Sequence, residues 1–361
     1  MDNSKSKIKI VFFADTGPQG SSLEHRGRLM SRELQKYGIE YGFYAGLLGS
    51  ETSPIPDLRS YFSVVARLRS CDILLLHRQG NLLAYLTLLM SKLMGKKAIY
   101  DFDDALFAHE ASRNVTLHRI WYGCLPNIIK KCDMVTAGSH FLVEYASSLN
   151  ENVHLIPTPV DTALFHPLNK VPSTQKEIII GWMGQANFHV ENLRILVEPL
   201  AELSKKYPIR LKLVSALGVE EVKHMFGEIG TLSVDYGLDR MVSLREVPEL
   251  MSDFDISVAP ITNDTFSKGK CAMKALESMA MGIPVVASAV GEHNYLIKEG
   301  VNGFLAATPD EWVKKLAALI EDEALRKRIG QNGLETVKEE GYSLQRCAEK
   351  VSPLYYGLLE R

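Results

Sequence analysis

The chain has 361 residues, more than one ordinary core serves, so two α/β domains are the default. Lysine and arginine number 41 against 43 aspartates and glutamates, a formal net charge of -2 that gives no bulk attraction to nucleic acid or anionic lipid. The five cysteines (Cys71, Cys124, Cys132, Cys271, Cys347) are widely spread with no CxxC pair, which argues against a disulfide scaffold or a zinc site and for thiols in a reducing compartment.

The chain begins MDNSKSKIKI, polar and then directly a strand, with no signal-peptide pattern. Residues 8–14, IKIVFFA, are a near-continuous apolar run suited to a central parallel strand. The loop DTGPQGSS follows, and its Gly17 and Gly20 would let a ligand approach the backbone closely. GxGxxG is absent, so this is not a dinucleotide fingerprint. Residues 23–37 read as a helix with Leu23, Met30 and Leu34 inward, and Arg26 and Arg28 either serve an anion or lie exposed. Strands follow at 40–45, 71–78 and 96–101, with helices at 60–70 and 81–95. The apolar run 82–94 is interrupted and falls short of a spanning helix, and reads as a crossover helix with contact to a membrane surface as the lesser alternative.

The third strand ends in His77 and Arg78, and the fourth in Asp101, Asp103 and Asp104, with His109 and Glu110 following. Polar groups just past the carboxyl ends of parallel strands are where open sheets bind ligands. Three carboxylates in four residues need protons, hydrogen bonds or cations to offset their repulsion. Three roles stay open: orienting or deprotonating a sugar hydroxyl, holding a divalent cation, or capping a helix. A helix at 116–131, a strand at 133–139, another helix and a strand at 153–160 complete the first half.

Residues 158–176 hold Pro159, Pro167 and Pro172 without periodicity and mark the domain boundary. A new sheet begins with EIIIGWMG, 177–184, where Gly181 and Gly184 flank Trp182 and Asn187 stands to cap a helix reaching about 206. A strand at 211–216, a strand-to-loop transition at 243–250 and a strand at 253–260 lead to FSKGKCAMKALESMAMGIPVVAS, 266–288. This reads as a Gly/Lys loop, a helix and a buried strand, with Lys270, Lys274 and Glu277 at i, i+4 and i+7 on one helix face. Amides at the helix start (Gly269, Cys271, Ala272) with Lys268 and Lys270 suit a diphosphate, while Glu277 reaches a hydroxyl pair of the same ligand. The plainer reading is a capped amphipathic helix with a surface ion pair. Two helices at 309–322 and 323–338 and an amphipathic C-terminal segment close the chain.

With these stretches in view, the chain resembles the retaining glycosyltransferases of family 4, whose fold is GT-B. VHLIPTPVDTALFHP is similar to the family's interdomain segment VIPNGVDxxxFxP. ALESMAMGIPVVASAVGEHNYLIKEGVNGFL is similar to its most specific run, LLEAMAxGxPVVAxxxGGxxElixxgxxGxL. The family carries two glutamates separated by seven intervening residues; Glu277 matches the second, which contacts the nucleotide ribose, and Gly269 stands at the first. A basic pair after the first donor-domain strand is replaced by Trp182 and the neighbourhood of Phe188 and His189, and Tyr100 replaces a histidine near the acceptor.

The resemblance implies an α/β fold of two Rossmann-like parallel-sheet domains facing a central cleft. The expected units are an acceptor-side domain 1–158, a hinge 159–176, a nucleotide-sugar domain 177–342, and a helix 343–361 crossing back to the first domain. It implies transfer of a sugar from a UDP or GDP sugar to an acceptor hydroxyl with retention, the alternatives being a nucleotide-sugar epimerase or a non-catalytic sugar-nucleotide-binding protein. Asp103, Asp104 and Lys270 are the expected catalytic residues; Gly184, Lys268, Gly269, Lys270, Cys271, Ala272, Lys274 and Glu277 the donor site; Gly17, Gly20, His77, Arg78, Asp101 and His109 the acceptor side. No cofactor is required, a divalent cation at Asp101, Asp103 and Asp104 being the lesser option. The partners are a nucleotide sugar and a glycan, lipid-linked or small-molecule acceptor, without nucleic acid. The place is the cytoplasm, with the inner face of a membrane as its margin.

Overall fold

The computed structural model describes residues 7–14, 21–45, 58–108, 115–168, 177–214, 220–238 and 240–360. Gly17, Gly20, His109 and Glu110 lie outside them. The chain divides into two compact units: Met1–Pro159 with Asp264–Cys271 and Ser343–Arg361, and Val160–Asn263 with Ala272–Tyr342.

The first unit is a parallel sheet of β1 (Ile8–Ala14), β2 (Ile39–Ala45), β3 (Ile73–His77), β4 (Lys97–Phe102), β5 (Met134–Ala137) and β6 (Val153–Leu155), ordered β2-β1-β3-β4-β5-β6. Its apolar strands alternate faces, as a pleat requires. Ile10, Phe12, Leu75 and Ile99 enter one core, and Val11, Phe13, Leu74 and Tyr100 the other. The C-terminal helix Leu344–Glu360 supplies Cys347, Val351 and Tyr355 to the first of these cores.

The second unit contains β7 (Ile178–Met183), β8 (Ile209–Val214), β9 (Ser233–Asp235), β10 (Ile256–Ala259), β11 (Val285–Ser288) and β12 (Phe304–Ala306), all parallel, ordered β12-β11-β10-β7-β8-β9. The order reverses between β7 and β10, which makes the carboxyl ends of those two strands the topological switch point.

Several expectations are corrected. Asp264–Cys271 groups with the first unit, because Phe266 packs on its core, Ser139 donates to the Gly269 carbonyl (3.1 Å) and Cys271 to that of Asp103 (3.1 Å). Val160 and Phe165 are buried in the second unit's core, so the described start of the 159–176 stretch packs as part of that unit. Residues 243–250 are not a strand: Ser243 closes on Glu246 (2.7 Å), and Pro248 sits in the first turn of the helix Val247–Met251. The expected helix 116–131 is two, Val115–Tyr122 and Leu125–Lys131, parted at Gly123, where a side chain would strike the Arg119 carbonyl. The expected helix from Asn187 is also two, Val190–Arg194 and Val197–Leu203, after a short 3-10 turn that contains Asn187.

Gly181 on β7 faces the ring of Phe254 so closely that a Cβ would overlap it. Gly181→Ala is expected to destabilise by about 1–3 kcal/mol, the usual effect of overpacking. Adding Phe254→Leu is expected to recover part of that loss in urea unfolding; a neutral Gly181→Ala would contradict the packing.

Candidate functional site

Strand register builds the polar centre of the first unit. Asp101 on β4 pairs with His77 on β3 and with Thr136 on β5, so the three stand in a row across the sheet. His77 Nδ1 lies 2.8 Å from Asp101 Oδ2, and Thr136 Oγ1 donates to Oδ1 at 2.5 Å. Above the row runs a π-helix, Leu23–Leu29, a rare winding that recurs at functional sites. From it Arg26 donates Nε to Oδ2 (2.9 Å) and Nη2 to Oδ1 (2.5 Å). Its Nη1 donates to the Ile156 carbonyl at 2.7 Å. Burial opposes the charge on Asp101, but the Arg26 guanidinium and the His77 hydrogen bond overcome it and hold the carboxyl well below its usual range.

Past β4, Asp103 receives Ser22 Oγ on Oδ2 (2.5 Å) and Arg78 Nη1 on Oδ1 (3.1 Å). The same Nη1 reaches Asp104 Oδ2 at 2.6 Å. Arg78 holds a left-handed φ of 59°, which an arginine adopts only under constraint, and its N–H donates to the Asp101 carbonyl. Burial opposes ionisation of Asp103 too, and the charges of Arg78, His77 and Arg26 with the Ser22 hydrogen bond hold its carboxyl below the ordinary value.

These contacts revise three expectations. Asp101 is buried and each of its oxygens already takes two hydrogen bonds, so it is spent within the unit and not open to a ligand. The carboxylates are balanced by guanidiniums at the oxygens a cation would take, and no three-residue cluster suited to a metal occurs among the described residues. Arg26 is closed into its ion pair and offers nothing to an external anion.

The Lys268–Cys271 stretch departs from the expected helix start. A short helix ends at Lys268, and the next, Met273–Ala280, begins only after Ala272, whose φ of 54° turns the backbone left-handed. Lys270 therefore precedes that helix and shares no face with Lys274 and Glu277. Its ammonium rests 4.7 Å from the Phe266 ring centre, while Lys268 is exposed. Gly269 lies against Ala105, with 2.6 Å between that Cβ and one built on Gly269. Cys271 is buried, and burial beside Asp103 pushes its thiol well up, so it is neither a reactive thiolate nor an open donor contact.

The second unit assembles its own group at the switch point. Trp182, next to last in β7, is buried, and Gly184 follows the strand at φ +147°, where a Cβ would come within 2.8 Å of Lys274 Cε. Lys274 Nζ lies 5.6 Å from the Trp182 ring and 3.2 Å from His189 Nε2, and His189 meets the same indole edge-on. Ala272 offers no side-chain cap, so the first amides of the helix Met273–Ala280 lack that partner. Glu277, one turn after Lys274, is buried; burial raises its carboxyl to about 8 against a smaller opposing pull from Lys274. His293 is buried nearby in sequence, its Nδ1 3.0 Å from the Ser288 carbonyl, and burial lowers it to about 4. Sequence reading missed Ser22, Thr136 and His293 as site residues.

Residues 177–322, which include this second group, match the family model described as "Glycosyl transferases group 1". The chain is 25% identical over 232 residues to the D-inositol 3-phosphate glycosyltransferase of Corynebacterium efficiens, covering 59% of this chain and 53% of that protein. It is 26% identical over 231 residues to the MMP alpha-(1->4)-mannosyltransferase of Mycolicibacterium hassiacum, covering 62% and 53%. The chain thus spans about half the length of these curated relatives. Anabaena Alr3699/HepE, solved in complex with UDP-glucose, superposes with a TM-score of 0.71 at 16% identity, over 97% of this chain and 100% of that one. Sucrose-phosphate synthase of Thermosynechococcus elongatus gives a TM-score of 0.71 at 16% identity, over 98% and 100%. At such identity the likeness is one of fold: two Rossmann-like parallel-sheet domains of the GT-B type.

Two predictions test the two groups. Removing Arg26 leaves a buried, unbalanced carboxylate, so Arg26→Ala is expected to destabilise by about 3–5 kcal/mol, and Arg26→Met with Asp101→Asn by much less. Equal losses in the single and double variants, read by urea unfolding, would contradict the pair. Glu277 keeps its proton in the folded protein up to about pH 8 and loses it near 4.5 when unfolded. The folded state therefore binds more protons across that interval, and its stability falls as pH rises through it. The Tm of Glu277→Gln minus that of the wild type is expected to grow from pH 5 to pH 8; a constant difference would reject the burial effect.

Proposed function

We propose that the chain is a retaining glycosyltransferase that moves a sugar from a nucleoside-diphosphate donor to an acceptor hydroxyl. The observation that carries the reading is the switch-point group of the second unit. A buried glutamate, an ammonium and uncapped helix amides sit together there, inside the stretch that matches the glycosyltransferase model. The names of the relatives, which act with inositol phosphate or mannosyl groups, support a sugar donor, and the UDP-glucose complex of a protein of this fold supports its nucleoside diphosphate.

In this reading Lys274, the helix amides and the space beside Gly184 receive the diphosphate, taking the part that sequence reading gave to Lys270. Charge growing on the departing phosphate is met by groups already in place, where water would otherwise have to reorganise. Glu277 accepts from, or donates to, the ribose hydroxyl pair. Its raised pKa makes it a carboxylic acid at neutral pH before the nucleotide arrives. On the first unit, Asp103 and Asp104, steadied by Arg78, are the groups offered to an acceptor hydroxyl. Retention follows in this reading from attack on the face of the departing phosphate, whose oxygen takes the acceptor's proton.

The acceptor is a glycan, a lipid-linked saccharide or a small molecule, and the place the cytoplasm or the inner surface of a membrane. No described helix is long and apolar enough to cross a membrane.

Calorimetric titration with UDP and GDP tests the donor site. One of them is expected to bind to the wild type and about tenfold or more weaker to Lys274→Ala and to Glu277→Ala, while Lys270→Ala binds as the wild type. Unaltered affinity in Lys274→Ala and Glu277→Ala, or a loss confined to Lys270→Ala, would reject the assignment.

A further inference from the structure

Three hydrogen bonds join Asp101, His77, Ser22 and Asp103 in one row: Asp101 Oδ2 to His77 Nδ1 at 2.8 Å, His77 Nε2 to Ser22 Oγ at 2.8 Å, and Ser22 Oγ to Asp103 Oδ2 at 2.5 Å. Each needs a proton between its heavy atoms. Two ionised carboxylates bring none, a neutral imidazole brings one and a serine one. The row is one proton short if its members carry only what they carry as separate groups near neutral pH.

Charge counting leads to the same number. Among the described residues, Arg26 and Arg78 face Asp101, Asp103 and Asp104, two positive charges against three negative ones. One added proton brings the sum to zero in a place whose inner part is closed to water: His77 is fully buried and Asp103 9% exposed, with Asp104 at the rim, its side chain 22% exposed. Among the described residues, the further titratable groups that other elements turn toward these carboxylates are Cys271, Tyr41 and Tyr355. Burial pushes all three up, so they stay neutral and leave the count unchanged.

We propose that the row holds this additional proton near neutral pH, lodged between His77 and Ser22, and that Ser22 is the positioning residue through which it reaches Asp103. With the proton at the histidine, both ring nitrogens donate, Nδ1 to Asp101 and Nε2 to Ser22, and Ser22 donates to Asp103. In the shift, the Nε2–H bond breaks as that proton joins Ser22 Oγ, and the serine's own proton passes to Asp103 Oδ2. The imidazolium becomes neutral, the carboxylate becomes a carboxylic acid, and the total charge is unchanged. Asp103 can then meet a hydroxyl as acceptor or as donor without drawing a proton from solvent. The proton count does not depend on the glycosyltransferase reading; only the identity of that hydroxyl does.

One short stretch of chain supplies both contacts to the β4 end. Ser22 stands immediately before the first residue of the π-helix and Arg26 within it, and both side chains reach that end, Ser22 to Asp103 and Arg26 to Asp101.

Two-bond nitrogen–proton correlation spectra of protein with labelled histidine rings test the proposal, the His77 signal being assigned through its contact with the Phe12 ring, 5.3 Å away. At pH 7 the wild type is expected to show His77 protonated on both nitrogens. Ser22→Ala is expected to convert it to the neutral Nδ1–H form, and Ser22→Thr, which keeps the hydroxyl, to restore the wild-type pattern. A neutral His77 in the wild type would overturn the proton count, whether or not Ser22→Ala folds. An unchanged doubly protonated ring in Ser22→Ala would overturn the role of Ser22. The spectra require no substrate, so a failure of the sugar-transfer reading leaves this test intact. With an active donor and acceptor in hand, Ser22→Ala is also expected to lower kcat about tenfold or more with KM little changed, to alter the pH profile, and to be rescued by Ser22→Thr.

Discussion

The carboxylate of Asp101 is the point on which the first unit turns. It sits at the end of an interior strand with its charge intact, and such a charge persists in a buried place only if every lone pair is met. Four hydrogen bonds from three segments meet it: two from Arg26 on the π-helix, one from His77 on β3 and one from Thr136 on β5. Arg26 also holds the Ile156 carbonyl, where the chain leaves the sheet. One buried charge thus fixes the placing of strand ends, the helix above them and the exit of the chain. It leaves Asp103 and Asp104, two and three residues on, as the carboxylates with lone pairs to spare.

The second unit uses burial differently. Its glutamate is placed among Ala275, Leu276, Ser278 and Met279 on a helix whose entry residue is left-handed, so the group is held neutral by desolvation. A carboxyl kept protonated by its surroundings suits hydrogen bonding to a neutral diol better than pairing with a cation. Lys274, a turn earlier, faces the indole of Trp182 and the ring of His189 instead. The ammonium is thereby kept at the switch point, where an anionic ligand is received in folds of this kind.

Much of this was legible in the sequence. Near-continuous apolar runs such as IKIVFFA and the ILLL of CDILLLHR suit interior parallel strands, and polar residues at their ends, His77 and the aspartates after Tyr100, then collect at the carboxyl edge of the sheet. Glu277 was singled out by its place in a specific motif. What escaped was set by contacts distant in sequence. Ser22 lies 81 residues from Asp103 and reaches it from the position just before the π-helix. Ala272 carries no mark of its left-handed backbone, since glycine is the residue that ordinarily signals one, so Lys270 and Lys274 read as neighbours on one face. The short edge strands Ser233–Asp235 and Phe304–Ala306 are too brief for an alternating pattern to emerge.

The claim that an ionised Asp101 is the hub of the first unit is open to a direct reading. Carbon NMR of protein labelled at aspartate carboxyls follows that side chain as the pH is lowered. An Asp101 signal that stays in the ionised position until the fold itself is lost is the predicted result. A reversible titration of Asp101 near pH 4, as an ordinary exposed aspartate shows, with the fold intact, would contradict it.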